Sequence, residues 1–576
     1  MTRQKVLFNL LSIILLMGAT LYDIKNLDMI TVLNDEFGYW ANAAIMEGID
    51  WKPLMAETPY YSFGYSLLLV PLFFVFKDYA ILYKSAIVLN GLLLVASYFC
   101  AKYITSTLFK IKSEVIKFSI SIISVLTGTA IFHSHIGWSE TLITFLMWVS
   151  IALLISIEKK SSVVKVLSLS VLCIYMITVH QRMVVNAAIC LGCLGIILIR
   201  EKWSKKQIAF FLLILGIGYL SYKITKDIQI SQFYGNSSAS DTNNVSVGGN
   251  FFLKYLDRIA SDFKLFFTSF GGKITVCLFM TYFTFPMAIY QYAGDVFKYL
   301  KTKVKIEYFW TYTYIIFSFV AMLLATSLQM MNCFSRKDIV VYTRYFDYTV
   351  GPIIMLGIYV LLSQGKKSIR LFAVLYLSYG VLLNSTFDII NKAENYFNVP
   401  CCPAYGAIMQ YSKKITETVD WEYCKGLASW AGIAIFLCVL LVWLIRKEKI
   451  RYICLASALL MGQFYIGHYS NEWLNNARNG FRSNTQPIFE LINEDDYSIY
   501  YIKNPEQTVQ YSYYANPKYL QFMLADRTIN VITWDEESTI GKNSWVLVEK
   551  SDEIKDISYE LIKTTDKMYL YQKVDE

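Results

Sequence analysis

Apolar runs of about seventeen to twenty residues recur along this chain, separated by short polar gaps, and the pattern changes only after residue 468. Runs centred on 6–24, 84–105, 117–133, 141–157, 163–180, 183–200, 208–225, 272–291, 308–327, 347–363, 369–385, 428–445 and 450–467 approach the roughly 20 residues a helix needs to cross a bilayer. They predict a polytopic α-helical membrane protein with about 13 transmembrane helices. One run departs from the pattern: FGYSLLLVPLFFVF, 63–76, is 14 residues long and reads as re-entrant or interfacial. Ahead of it lies NDEFGYWANAA, 34–44, where Phe37, Trp40, Ala41, Ala44 and Ile45 recur at spacings of three and four. That predicts a juxtamembrane helix over 36–47 with one apolar face turned to lipid or protein. After 468 the period changes. YSIYYI, INVITW, SWVLVEK and MYLYQK predict strands, and 507–525 a helix between the first two. The chain therefore divides into a transmembrane domain, 1–468, and a small soluble α/β domain, 469–576.

Composition agrees. The chain is 55% hydrophobic and only 17% charged, where soluble domains carry about a quarter charged residues. The formal charge of +9 suggests nucleic acid until its distribution is read. Residues 469–576 hold 18 acidic against 11 basic residues, and the rest holds 42 basic against 26 acidic, concentrated in short gaps between apolar runs. Such an excess orients helices, so no nucleic-acid partner is expected. The clusters Lys110/Lys112/Lys117, Lys159/Lys160/Lys165, Arg200/Lys202/Lys205/Lys206, Lys298/Lys301/Lys303/Lys305, Lys366/Lys367/Arg370 and Arg446/Lys447/Lys449/Arg451, with Arg3 and Lys5, alternate with acid-bearing loops. The positive-inside rule then puts the N-terminus in the cytoplasm and the C-terminal domain outside the cell membrane. Counting 63–76 as a span would invert every later loop, so 25–83 is read as one large outer loop with juxtamembrane helices. The first run lacks a small-residue cleavage site and is expected to be retained. Residues 226–262, rich in Gly, Ser and Asn, are expected to be a mobile outer loop. Cys401, Cys402 and Cys424 share another outer loop, 386–427, where they are either a disulfide clip or unpaired. The four histidines show no zinc-ligand spacing, and no repeat or phosphate-cradling glycine loop is present, which argues against an ATP-driven pump.

Ionisable residues gather on the outer side. Asp35 and Glu36 open the juxtamembrane helix, and Lys84 heads the second span. Glu140 heads the fourth span in WSETL, and His180-Gln181-Arg182 forms the turn between the fifth and sixth. Tyr342, Arg344 and Asp347 lie at the head of the tenth. Charges at membrane depth are expensive, so this grouping predicts a wet, charged cavity. Each residue also has a plainer reading. Asp35, Glu36 and Glu140 suit helix N-termini electrostatically, Lys84 and Arg344 suit snorkelling to headgroups, and Arg182 suits a short outer turn. His133, His135 and His180 read as interfacial polar residues rather than catalysts.

In order and sidedness these elements resemble the GT-C superfamily of membrane glycosyltransferases, most nearly the protein O-mannosyltransferases and the aminoarabinose transferases that modify lipid A. The matching elements are Asp35-Glu36 after the first span, YYSFGYSLLLVPLFFVF behind it, Lys84, Glu140, and Arg344-Tyr345 before Pro352. The resemblance covers about residues 1–365; the tail matches in position and size. Two places depart from it: a lone Pro59 followed by Tyr60-Tyr61 stands where relatives have paired prolines, and Lys84 where many have arginine.

The resemblance implies an inverting transferase that moves a sugar from a polyprenyl-phosphate donor to an extracytoplasmic cell-envelope lipid, glycan or polymer, or less readily a protein. Asp35 would be the base, with Glu36 or Glu140 orienting the acceptor or the sugar. Lys84, Arg182 and Arg344 would bind the donor phosphate, and Tyr39 and Tyr345 would contact substrate. No cofactor is expected, and a divalent metal is not favoured. The residue chemistry suits this: a departing phosphate needs cations and hydrogen-bond donors, and an attacking hydroxyl needs a placed base. Two other readings stay open. One is a flippase for lipid-linked sugars, whose ionisable groups would usually sit at the bilayer midplane. The other is a polysaccharide polymerase or ligase built on a large late outer loop, for which 386–427 is just large enough.

Overall fold

The computed structural model describes residues 3–574 apart from 242–256, 305, 364–365, 504–516, 551, 555 and 557. Its helices are α1 (Arg3–Leu21), α2 (Leu33–Glu47), α3 (Lys52–Ala56), α4 (Ser66–Val75), α5 (Tyr79–Leu108), α6 (Glu114–Val125), α7 (Gly128–Ser134), α8 (Glu140–Lys159), α9 (Val163–Val179), α10 (Met183–Arg200), α11 (Lys205–Phe233), α12 (Phe263–Met280), α13 (Phe285–Thr302), α14 (Phe309–Gln329), α15 (Asp347–Ser363), α16 (Lys366–Lys392), α17 (Pro403–Thr416), α18 (Trp421–Trp443) and α19 (Glu448–Ile492). Among the described residues ten helices are long and apolar enough to cross a membrane, or eleven if the bent pair α6–α7 is one span. The 17-residue apolar helices α9 and α15 complete the thirteen expected runs. The chain is a multi-pass membrane protein.

The expected span at 272–291 is corrected. Its apolar residues belong to two helices, because α12 stops at Met280 and the chain turns through Tyr282 and Phe283, both with left-handed φ near 60°. The following helix, α13, is amphipathic and carries the basic residues Lys298 and Lys301. The short run 63–76 becomes α4, ten residues with Pro71 inside.

The basic loops collect at one end of the bundle. There Lys110 pairs with Glu307 at 2.6 Å and Phe109 stacks on Tyr359 at 3.9 Å. Glu158 caps the start of α14 by accepting from the backbone N–H groups of Trp310 and Thr311. The acid-bearing loops gather at the opposite end, where α2, α3 and the tail pack together.

The expected boundary at 468/469 falls inside a helix. α19 runs unbroken for 45 residues to Ile492 and leads directly into the tail. Beyond it stand β1 (Ile499–Lys503), α20 (Pro517–Met523), β2 (Ile529–Thr533), β3 (Ser544–Glu549), β4 (Tyr559–Thr564) and β5 (Met568–Lys573). The sheet order is β2-β1-β3-β5-β4, with β1 parallel to β2 and β3, and β5 antiparallel to β3 and β4. The four expected strands are present and β4 is added. Of the helix expected over 507–525, residues 517–523 are helical and 524–525 form a turn; 504–516 lies outside the described residues, as does 242–256 of the loop expected to be mobile.

The tail shares the bundle's core. α20 inserts Phe522 among Trp40 (5.1 Å), Trp51 (6.5 Å) and Tyr83 (5.9 Å), every contact edge-on, a favoured geometry for aromatic rings. The apolar face expected on the juxtamembrane helix is thus a protein face, with Phe37, Trp40, Ala41 and Ala44 buried. Cys401, Cys402 and Cys424 are buried free thiols.

Candidate active site

Four segments far apart in sequence meet at the end opposite the basic loops. They are the first turn of α2, the tight turn 135–139 leading into α8, the α9–α10 turn, and the loop 342–346 leading into α15. Two close approaches make this possible. At Gly38 a Cβ would fall 2.1 Å from the Tyr61 ring, and at Gly137 it would fall 2.6 Å from the Trp40 indole nitrogen. Side chains at either position would push Tyr61 or the turn off α2.

The three candidate carboxylates differ sharply in surroundings. Glu36 is wholly buried and accepts four hydrogen bonds, from the Thr31 and Val32 N–H groups (2.6 and 2.7 Å), the Tyr83 hydroxyl (2.6 Å) and the Gly137 N–H (2.8 Å). Burial pushes its carboxyl up, while Tyr83 and the backbone donors pull it down. Every lone pair is engaged, so Glu36 ties α2 to α5 and to the 137 turn. Glu36→Gln, which meets two backbone donors with an NH₂ or leaves others unmatched, is expected to cost about 1–3 kcal/mol. Thermal unfolding of the purified variant measures this.

Glu140 is also buried, and both its oxygens are held by arginines: Arg344 Nε at 2.7 Å and the Arg182 guanidinium. Asp35 is different. It accepts from the Tyr61 hydroxyl and from Arg344 Nη1, yet its side chain stays 25% exposed where that of Glu140 is 3%. Burial, and then Asp35, push the Tyr61 hydroxyl well above its ordinary range, so Tyr61 remains the donor in that contact.

Arg344 is the centre of the cluster. Its guanidinium bridges Asp35 and Glu140 and lies 4.0 Å from the centroid of the Trp138 ring. The loop that presents it is anchored by the Cys401 carbonyl, which accepts from the backbone N–H groups of Thr343 (2.9 Å) and Arg344 (3.2 Å). Arg182 lies at the N-terminus of α10, facing the rings of Tyr345 and Tyr348 at 5.3 and 5.7 Å. One of its nitrogens reaches Glu140, while Nε and Nη1 are buried with no hydrogen-bond partner among the described residues. Beside it, burial and then Arg182 hold the His180 imidazole well below its ordinary value, and so neutral.

Tyr39 is fully buried, bonded to Ser139 Oγ at 2.8 Å and edge-on to Tyr61, and forms the wall of the site. Tyr345 is half-buried and faces Arg182. Lys84 is not brought into the cluster by any ion pair or hydrogen bond among the described residues. It shares a face of α5 with the exposed Ile81 and Val88, while the neighbouring Tyr83 points at Glu36. Asp347 pairs with His133 Nε2 at 3.3 Å, behind Trp138. Among the described residues no group of three His, Cys, Asp or Glu is arranged to hold a metal ion.

Lys518 of α20 escapes sequence reading, because a lysine in a polar tail looks like solvated surface. It is buried beneath α2, donating to Asn34 Oδ1 and to the Glu57 carbonyl, both at 3.0 Å. Burial pulls its pKa from 10.5 to about 7. Between those values a released tail binds a proton that the docked tail does not, so docking strengthens as pH rises from 7 to 10.5 and is weakest below 7. Protease protection of the tail should follow that rise, and Lys518→Met should flatten it.

No protein-family model matches the sequence, and no curated protein matches it. Solved structures do. ArnT from Cupriavidus metallidurans bound to undecaprenyl phosphate aligns over 99% of this chain and 98% of its own, with a TM-score of 0.54 at 11% identity. The same protein in the apo state aligns over 99% and 97%, with a TM-score of 0.51 at 11% identity. The chain has the GT-C fold. The thirteen apolar runs, the short helix α4 in the first large loop and the terminal sheet belong to a chain aligned over 99% of its length.

Proposed function

We propose that the protein is an inverting glycosyltransferase that takes a sugar from a polyprenyl-phosphate donor and passes it to a cell-envelope acceptor outside the membrane. The observation that carries this reading is the chain Arg182–Glu140–Arg344–Asp35, which ends in two buried guanidinium nitrogens without hydrogen-bond partners among the described residues at one side and a partly open carboxylate at the other. Unmatched buried donors are costly, and an anion with several acceptor oxygens would satisfy them. The donor phosphate is such an anion, held and then stabilised as it leaves. Arg344, already bonded to both carboxylates, fixes their spacing. Asp35 is the carboxylate open to an incoming hydroxyl, since Glu36 accepts four hydrogen bonds and Glu140 is buried between two arginines. Attack by that hydroxyl opposite the phosphate inverts the anomeric carbon. No step in this reading calls for a divalent metal.

The fold shared with ArnT, which binds undecaprenyl phosphate in one of its structures, supports a polyprenyl phosphate as the lipid here. The basic end of the bundle faces the cytoplasm in this reading, by the positive-inside rule. The deciding experiment is reconstitution in liposomes with a panel of labelled polyprenyl-phosphate sugars and an envelope extract as acceptor. Transfer of label, lost in Arg182→Met, is the expected result; movement of intact donor between leaflets with no transfer would overturn it in favour of a flippase.

A further inference from the structure

The basic end of the bundle holds a cleft that the proposed reaction does not use. After the turn at 281–284, α13 leaves the bundle with Phe285, Met287 and Ala288 buried. It turns a stripe of Tyr290, Phe297 and Leu300 outward, 48%, 77% and 57% exposed. Lys298, Lys301 and Lys303 flank this stripe and are exposed. An apolar stripe edged with lysines is the signature of a helix lying in a membrane boundary.

Between α13, the last turn of α15 and the first turns of α16 lies a cavity of about 160 Å³, lined by Met287, Tyr290, Val360, Lys367, Ser368 and Leu371. Lys367 holds its ammonium 5.2 Å from the centroid of the Tyr290 ring and has no carboxylate at ion-pair distance among the described residues. Arg370, one turn on, is likewise exposed and without an ion pair there. The acid on the neighbouring helix, Asp295, is engaged by Gln291 at 3.1 Å. From Lys367 an exposed apolar row climbs α16 through Val374, Leu377 and Val381, 58%, 68% and 73% exposed. Steps of three and four keep these on one face of the helix.

We propose that this cleft binds one anionic membrane phospholipid, its headgroup phosphate held by Lys367 and Arg370 against Tyr290 and an acyl chain lying along Val374, Leu377 and Val381. Charge selects the occupant: two unpaired cations at the head of an apolar track match a negative headgroup above a hydrocarbon tail, and a zwitterionic lipid would bring its own cation against them. The site is separate from the Asp35–Arg344 cluster, so it stands whether or not that cluster transfers sugar.

The test is lipid retention by the full-length protein, measured by native mass spectrometry after exchange into nanodiscs of phosphatidylcholine doped with phosphatidylglycerol. The wild type should keep phosphatidylglycerol in preference. Lys367→Glu should lower retention at least about fivefold, the factor one basic residue contributes at an anionic surface. Leu371→Trp, which fills the cleft and leaves every charge, should lower it too, and Lys298→Glu should leave it unchanged. Equal retention of both lipids would overturn the proposal, as would a Lys298→Glu loss matching that of Lys367→Glu, or displacement of phosphatidylglycerol from this cleft by undecaprenyl phosphate.

Discussion

Asp35→Asn is expected to lower sugar transfer by about 10²–10⁴-fold, the usual contribution of a placed general base. The substitution keeps size and shape and leaves an amide oxygen for Arg344 or Tyr61 to donate to. Since the side chain is partly exposed, the folded state loses little. The measurement pairs initial rates with thermal unfolding: a large fall in rate at nearly unchanged melting temperature assigns Asp35 to proton removal. A variant with full activity would remove it from that role, and one that no longer folds would make it a structural ion pair.

Arg344→Met is expected to damage the fold as well as the reaction. It withdraws one guanidinium from two carboxylates at once, leaving buried Glu140 with Arg182 alone. Removing one partner of a buried ion pair costs about 3–5 kcal/mol, because the remaining charge is still desolvated. The double variant Arg344→Met with Asp35→Asn removes the carboxylate left without a cation, while Glu140 keeps Arg182, and should recover part of the stability without recovering transfer. Unfolding curves of the two variants separate charge burial from catalysis: equal stability in both would show that Asp35 is not stranded by the loss of Arg344.

The membrane-spanning runs were legible because a bilayer demands long apolar stretches, and the polar ends of α8, α10 and α15 stood out against them. The reading failed at 272–291, where one apolar stretch serves two helices and only the turn at Tyr282–Phe283 separates them. It also failed at 468, since nothing local tells a helix that leaves the bilayer to stop. Within the site, Asp35, Glu140, Arg182 and Arg344 could be gathered in advance because charge beside a membrane is conspicuous. The division of labour among them could not. Whether a carboxylate is saturated, as Glu36 is, depends on a tyrosine 47 residues away and a glycine 101 residues away. Lys84 stood out by the same rule as the others, and its helical face carries it elsewhere. Tyr61, Trp138 and Lys518 carried no signal of their own, since aromatics and lysines are abundant in this chain.

The lysine under α2 has a consequence for biogenesis. Asn34 emerges from the ribosome early, yet its partner at 518 lies 484 residues later. A nascent chain with every helix inserted still lacks the underside of the segment that presents Asp35. The molecule is therefore completed last at the place that was made first, and a product truncated before residue 518 would sit in the membrane without the support beneath Asp35.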